Sequence, residues 1–223
     1  LTRIILGILF LFSIFYFLFS ILKVSYPRLA FFFFLFASPF MNGREPYMYW
    51  WTGMDAIRRV AYLPHHMFGN LALILLIISL LFFWQRKKKK FFIISVFLSF
   101  ALAFIHPPSL FILLLILPPS VIIYFAFGQA KKWRNIIGLL VYWFIGLLVL
   151  LLMYAQSGKG FPWSQYIDWE RKLQFPLGNE LIGAFGILFP FAILGGVKAF
   201  LSKRFDYILV AVWLFLPILF VPI

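Results

Sequence analysis

The sequence has little charge and no cysteine. Charged residues make up 12% of its 223 residues, whereas a typical soluble domain carries about 25%. Apolar residues make up 65% of the chain, and aromatic residues alone make up 22%. These values exclude a water-soluble globular enzyme, and they exclude a disordered chain, which has few apolar residues. The absence of cysteine excludes disulfides, thiol nucleophiles and cysteine metal ligands.

Long apolar runs fill most of the chain, and a membrane-spanning helix needs about 20 such residues. The runs predict an all-α, polytopic integral membrane protein with a single transmembrane domain over residues 1–223. The eight predicted spans are 4–22, 29–40, 67–85, 91–105, 109–128, 136–153, 181–199 and 207–223. The second run is short, so we expect it to start near Lys23, with Pro27 in its first turns, or to be re-entrant. Pro118 and Pro119 are expected to kink the fifth span.

Both ends of the sequence differ from those of a complete membrane protein. The chain starts without methionine, and it stops inside the apolar run Tyr207–Ile223. We interpret both ends as truncated, which makes the sequence a fragment of a longer chain. Some residues needed for function are then expected to lie outside it.

Lysine and arginine are distributed unequally between alternate loops. One set of short loops holds 13 of these residues, and the other loops hold seven. The positive-inside rule therefore predicts that Lys87–Lys90 is cytoplasmic, and that segments 41–66 and 154–180 are extracytoplasmic. The expected location is a bacterial-type plasma membrane, with the basic turns among anionic lipid headgroups of the bilayer. No nucleic-acid partner is expected, because the basic residues do not form one face of a folded module.

The acidic residues lie mostly on the predicted outer side. Each outer segment is expected to contain a helix that lies on the membrane, over residues 52–61 and 165–174. Four acids in these segments are candidates for contact with a substrate: Glu45, Asp55, Asp168 and Glu170. No spacing of paired acids distinguishes one of them as catalytic. No cofactor is evident, and a divalent metal is compatible with these acids but is not indicated.

All three histidines, His65, His66 and His106, fall at outer ends of predicted spans. His65 and His66 directly precede the third span, and His106 lies at the next outer turn, directly before two prolines. We favour the interpretation that they are polar residues at helix ends, because such histidines are common. The alternative is that His66 and His106 bind a donor phosphate together, with Arg58 and Arg59 adding charge. His65 points about 100° away from His66 on a helix, so the adjacent pair predicts no metal site.

Four segments follow one another in an order that is similar to a known family. They are Tyr62-Leu-Pro-His-His, Ala103-Phe-Ile-His-Pro-Pro, Asp168-Trp-Glu with Leu181–Gly196 after it, and Trp213-Leu-Phe-Leu-Pro. Over residues 38–223 this order resembles the bacterial multi-span glycosyltransferases of the GT-C fold, which include relatives of dolichyl-phosphate-mannose protein mannosyltransferases.

The resemblance implies transfer of a sugar from a polyprenyl-phosphate donor to an extracytoplasmic acceptor. An acidic residue would act as general base, with inversion at the sugar carbon. In that family the catalytic acid lies in the first outer loop, and this chain is expected to begin after that loop, so the catalytic acid stays unassigned. Two alternatives remain open: a non-catalytic membrane protein of envelope assembly, and a lipid or solute transporter.

The predicted orientation can be tested with two single-cysteine variants, because the chain has no native cysteine. In intact cells, a membrane-impermeant thiol reagent is expected to label Ser157→Cys and to leave Lys88→Cys unlabelled. Labelling at position 88 together with protection at position 157 would overturn the orientation.

Overall fold

The computed structural model describes residues 2–36, 41–42, 45–46, 64–127, 133–160 and 188–218, and nearly all of them are helical. The helices are α1 (Thr2–Tyr16) with a π-helical continuation (Phe17–Leu22), α2 (Pro27–Phe36), α3 (Pro64–Arg86), α4 (Lys89–Ile105), α5 (Pro107–Ala126), α6 (Trp133–Ser157), α7 (Leu188–Leu201) and α8 (Phe205–Ile218). Two short strands, β1 (Met41–Asn42) and β2 (Glu45–Pro46), pair antiparallel. The predicted helical class is confirmed.

Several of these helices can cross a membrane. Four segments are long and apolar enough: Ile4–Leu22, His66–Arg86, Pro107–Ala126 and Asn135–Gln156. Shorter apolar helices lie at Pro27–Phe36, Phe189–Leu201 and Phe205–Leu216. The chain therefore has the helices of a membrane protein, while the predicted count of eight spans stays a prediction. The expected outer helices over residues 52–61 and 165–174 lie outside the described residues.

Helix α3 lies at the centre of the bundle. Within its membrane-spanning window 72% of the residues are buried, against 22% for the window of α1 and 28% for that of α6. A helix that is apolar on all sides is expected to be buried, and from Leu71 to Phe83 the only polar residue of α3 is Ser79. Helices α1 and α4 are its main neighbours.

One end of the bundle is held together by aromatic contacts and a buried amide. Trp84, near the end of α3, stacks on Phe205 at the start of α8, with ring centroids 4.3 Å apart. Tyr124, near the end of α5, meets the Trp84 ring edge-on at 5.1 Å. Asn135, at the start of α6, donates from its side-chain amide to the carbonyl of Trp84 at 2.6 Å. The last carbonyls of a helix have no N–H partner within it, so Asn135 satisfies one of them.

Arg204 connects this same end to the first helix. Its Nε and Nη2 atoms donate to the two carboxylate oxygens of Asp206 at 3.2 and 2.5 Å. Nη2 also donates to the carbonyl of Leu22, the last residue of the π-helix, at 3.0 Å. Asp206 is only 5% exposed, and a buried carboxylate is tolerated when it is paired in this way. The hydrogen bond to Asp206 raises the pKa of Arg204 above its usual range, so the cation persists at every physiological pH.

Three turns at the basic end contain a lysine in the left-handed conformation. Lys23, Lys87 and Lys203 have φ values of 55°, 55° and 54°, and each follows the last turn of a helix. A residue with a side chain adopts this conformation at a cost of about 1–2 kcal/mol, whereas glycine adopts it readily. A cation at a helix C-terminus is favoured by about 0.3–1 kcal/mol, which offsets part of that cost.

A hydrogen-bonded pair of side chains connects α4 to α6 inside the bundle. Tyr142 is fully buried, and its hydroxyl lies 2.7 Å from Oγ of Ser99. Because Ser99 uses its own hydrogen on the carbonyl of Ser95 at 2.9 Å, the tyrosine is the donor between the two side chains. Such a bond stabilises helix packing where the surroundings offer no water.

A second interhelical bond compensates for a proline. Helix α5 continues through Pro118 and Pro119 as one helix. Pro118 has no N–H, so the carbonyl of Leu114, four residues earlier, loses its helical donor. The indole Nε1 of Trp143 on α6 donates to that carbonyl at 2.8 Å. Helix α6 therefore supplies the hydrogen bond that the proline removes from α5.

A double-mutant cycle tests this compensation. Trp143→Phe should destabilise the protein by about 1–3 kcal/mol, because it leaves the Leu114 carbonyl without its donor. In a Pro118→Ala background the same change should cost less, because the N–H of the new alanine reaches that carbonyl. Thermal unfolding of the purified variants in detergent measures both values, and an equal loss in the two backgrounds would contradict the coupling.

Candidate functional site

Two histidines lie at the end of the bundle opposite the basic turns. His66 is in the first turn of α3, and His106 is the single residue between α4 and α5. Pro107 and Pro108 occupy the first two positions of α5, where their missing N–H groups cost nothing. A residue before proline avoids the helical conformation, and His106 accordingly leaves the helix with φ −151° and ψ 70°. The two prolines therefore fix the backbone that carries the His106 ring.

The structure brings the two imidazole rings together. Nδ1 of His66 lies 3.1 Å from Nε2 of His106, which is a hydrogen bond between residues 40 positions apart. The ring centroids are 5.0 Å apart, and the rings are inclined at 67°. Both side chains are half-buried. The spatial pairing required for a shared phosphate site is therefore present, while phosphate binding by the pair stays a prediction.

A glycine allows this close approach. Gly69 lies one helical turn after His66, on the same face of α3. A Cβ atom built on Gly69 would lie 2.8 Å from Cβ of His106 and 3.0 Å from its Cγ. Real Cβ atoms do not approach other atoms so closely, so any side chain at position 69 would displace His106. The absence of a side chain at Gly69 thus determines where the two rings can meet.

A serine completes the arrangement. Oγ of Ser109 lies 2.8 Å from Nδ1 of His106, and Ser109 is 6% exposed. Four other serines donate to the carbonyl four residues earlier in their own helix: Ser13, Ser95, Ser99 and Ser120. Ser109 differs because it is the third residue of α5, so its fourth preceding residue belongs to α4. Ser109, His106 and His66 therefore form one continuous hydrogen-bonded chain.

Sequence reasoning missed Gly69 and Ser109, although each had a local signal. His106 and Ser109 have the spacing of a helix N-cap and its third residue, whose side chains commonly bond to each other's groups. Gly69 follows His66 by three residues, which places both on one helix face. Neither signal identifies the partner across the fold.

The remaining candidates are placed differently. Glu45 lies in β2, paired with Asn42 of β1. Arg58, Arg59 and Asp55 lie outside the described residues, as do Asp168 and Glu170. Their proposed roles stay predictions.

The described residues do not assemble a metal centre of the usual kind. Within the described ranges, no group of three or more His, Cys, Asp or Glu side chains lies close enough to hold an ion. The histidine pair supplies two nitrogens, whereas structural zinc sites use four protein ligands and catalytic ones use three. The chemistry that the pair itself offers is hydrogen bonding to oxygen atoms.

Comparison with known proteins adds no assignment to this geometry. No protein-family model, no curated protein and no solved structure matches the chain. The chemistry available at this end of the bundle therefore follows from the contacts of His66, His106 and Ser109 themselves.

Gly69→Ala tests how tightly the site is built. The added methyl group should displace His106 and lower the melting temperature in detergent, by an overpacking cost of about 1–3 kcal/mol. Gly195→Ala on α7 is the matched control, because among the described residues outside its own stretch of helix no heavy atom lies within 4 Å of the position its Cβ would take. Equal melting temperatures for the two variants would show that the region around His106 relaxes freely.

Proposed function

We propose that this chain is part of an extracytoplasmic glycosyltransferase that uses a polyprenyl-phosphate-sugar donor, and that Nε2 of His66 contacts the donor phosphate while His106 holds the His66 ring in place. The observation that carries the proposal is the 3.1 Å contact between the two rings at the end of the bundle opposite the basic turns. The hairpin of α3 and α4 brings the far ends of the two helices side by side, and the hydrogen bond between the rings then fixes the orientation of the His66 ring. A phosphate site needs a polar group that is held in place in this way.

The proposed topology places this site outside the cell. In the proposal all eight predicted spans cross a bacterial-type plasma membrane, with the turns after α1, α3 and α7 in the cytoplasm. What supports it is the distribution of charge: Lys23, Lys87 and Lys203 mark those turns, while the two histidines lie at the far end. Positive charge in short loops favours the cytoplasmic side.

A site at a helix end suits a lipid-linked donor. The polyprenyl chain stays in the hydrocarbon, and its phosphate stays at the depth of the headgroups. In the proposed topology the first turn of α3 lies at that depth, at the outer end of its span. In the transfer step a bond forms between the acceptor oxygen and the sugar carbon, and the bond from that carbon to the phosphate oxygen breaks. A carboxylate takes the proton of the acceptor hydroxyl.

His66, held in place by His106, would act on the leaving group in this step. The phosphate gains negative charge as its bond to the sugar breaks, so donors fixed at its oxygens stabilise the transition state more than the ground state. This assigns phosphate contact to His66 and a positioning role to His106, and it leaves the general base unassigned among the acids of the chain and of any segment before it.

Binding of polyprenyl phosphate tests the proposal, because every donor of this class shares that lipid and that phosphate. In lipid nanodiscs, His66→Ala should weaken binding by roughly ten- to a hundredfold, since one charge-assisted hydrogen bond contributes about 1.5–3 kcal/mol. His106→Ala removes the neutral hydrogen bond that holds the His66 ring, so it should weaken binding by up to about tenfold. The double variant should lose less than the product of the two single effects, because the rings act as one unit.

His65→Ala is the matched control, since it removes the same ring one residue earlier on α3. It should leave the affinity unchanged, with all variants showing the same elution profile and helical content. Wild-type affinity in both His66→Ala and His106→Ala would overturn the proposed site.

A further inference from the structure

The hydrogen-bonded chain at the histidines has a direction, and the buried serine sets it. Ser109 is 6% exposed, and within the described part of the chain the partner of its Oγ is Nδ1 of His106. A buried hydroxyl whose hydrogen has no acceptor costs about 1–3 kcal/mol. The hydroxyl hydrogen of Ser109 therefore points at Nδ1 of His106, which must be the unprotonated nitrogen of that ring.

The direction of the hydrogen bond from Ser109 determines which nitrogen is protonated in His106 and then in His66. A neutral imidazole carries one hydrogen, so His106 carries it on Nε2. Nε2 of His106 faces Nδ1 of His66 at 3.1 Å, and it can only donate there. Nδ1 of His66 is then the acceptor, and the hydrogen of His66 lies on Nε2. One serine hydroxyl thus determines the protonated nitrogen of both rings.

We infer that Ser109 is a positioning residue that makes Nε2 of His66 a hydrogen-bond donor, so that the group this nitrogen contacts is an acceptor oxygen of a phosphate or carboxylate. The reverse chain would make Nε2 of His66 a base suited to take a proton from a hydroxyl. The structure disfavours that reverse chain because it leaves the Ser109 hydrogen unused in a buried site.

The inference deepens the proposed function and depends on it only for the identity of the ligand as a phosphate. A donor at Nε2 of His66 is the polarity that a phosphate oxygen requires. It also separates two roles that one histidine pair could have served: His66 holds the phosphate, and deprotonation of the acceptor falls to another group.

Nitrogen NMR of the protein labelled with ¹⁵N-histidine tests the direction of the chain. The sequence has three histidines, so three pairs of ring signals are expected, and single His→Gln variants assign them. His66 and His106 should both carry their hydrogen on Nε2, with Nδ1 bare. A wild-type spectrum with the hydrogen of His106 on Nδ1 would overturn the inference, whatever the protein binds.

Three serine variants separate positioning from packing. In Ser109→Ala, His106 should populate both neutral tautomers, with the ring hydrogen on Nδ1 or on Nε2. Ser109→Thr keeps the hydroxyl and should restore the wild-type signals. Ser120→Ala is the matched control, because Ser120 is a buried serine of the same helix that donates to the carbonyl of Ile116 at 2.6 Å. Identical histidine signals in Ser109→Ala and wild type would also overturn the inference.

Two phosphate probes connect the inference to the ligand. Inorganic phosphate and polyprenyl phosphate are added separately to the labelled protein, and the Nε2 signal of His66 is followed. A shift with both probes identifies the phosphate group as the ligand chemistry, and a shift with the lipid alone identifies a lipid headgroup. Ser109→Ala should weaken the effective probe by up to about tenfold, as expected for loss of one neutral hydrogen bond.

Failure of the two ideas gives different results. The expected ring forms, combined with no response of His66 to either probe, would support the role of Ser109 and contradict the proposed phosphate site. A response of His66 with the hydrogen of its ring on Nδ1 would support the phosphate site and overturn the role of Ser109.

Discussion

Hydrocarbon offers no hydrogen-bond partner, and this constraint shapes the interior of the bundle. The carbonyl that Pro118 leaves without its helical donor receives the indole N–H of Trp143 from the neighbouring helix. The hydroxyl of Tyr142, with no exposed surface, donates to Ser99, which donates onward to its own helix. Each of these groups would otherwise cost several kilocalories per mole in lipid. Packing of α6 against α4 and α5 follows from these bonds as much as from apolar contact.

The two ends of the bundle solve a different problem. At the basic end, Arg204 forms an ion pair with the buried carboxylate of Asp206 and ties it to the end of the first helix. At the opposite end, His66, His106 and Ser109 form a chain that needs no net charge to be satisfied. The two ends therefore differ in how their polar side chains are satisfied: by an ion pair at one end and by a chain of hydrogen bonds at the other.

Local patterns in the sequence predicted the helices, whereas contacts between residues far apart in the chain could not be predicted from it. Hydropathy located the helices, and Pro27 marked the start of α2, because these properties depend on neighbours within one or two turns. The prolines after His106 predicted its turn for the same reason. The bond between His66 and His106 joins residues 40 positions apart, and the bond from Asn135 to Trp84 joins residues 51 apart. No periodicity in the sequence encodes such partners. The sequence therefore predicted that both histidines lie at one end of the bundle, but it could not show whether they form a hydrogen-bonded pair. Gly69 shows the same limit, since its meaning depends entirely on the residue it faces.

The lysines at the three left-handed turns have a consequence for how the protein reaches its membrane. Glycine at Lys23, Lys87 or Lys203 would relax the backbone and ease folding. In the proposed orientation it would also remove a positive charge that favours the cytoplasmic side during insertion, before the helices have packed. In that orientation the same side chain would act first on the unfolded chain, as a positive charge, and later in the folded protein, at the end of a helix. A chain with glycine at these three positions would have less backbone strain in the folded state. In the proposed orientation it would also have fewer of the positive charges that favour the cytoplasmic side for each turn.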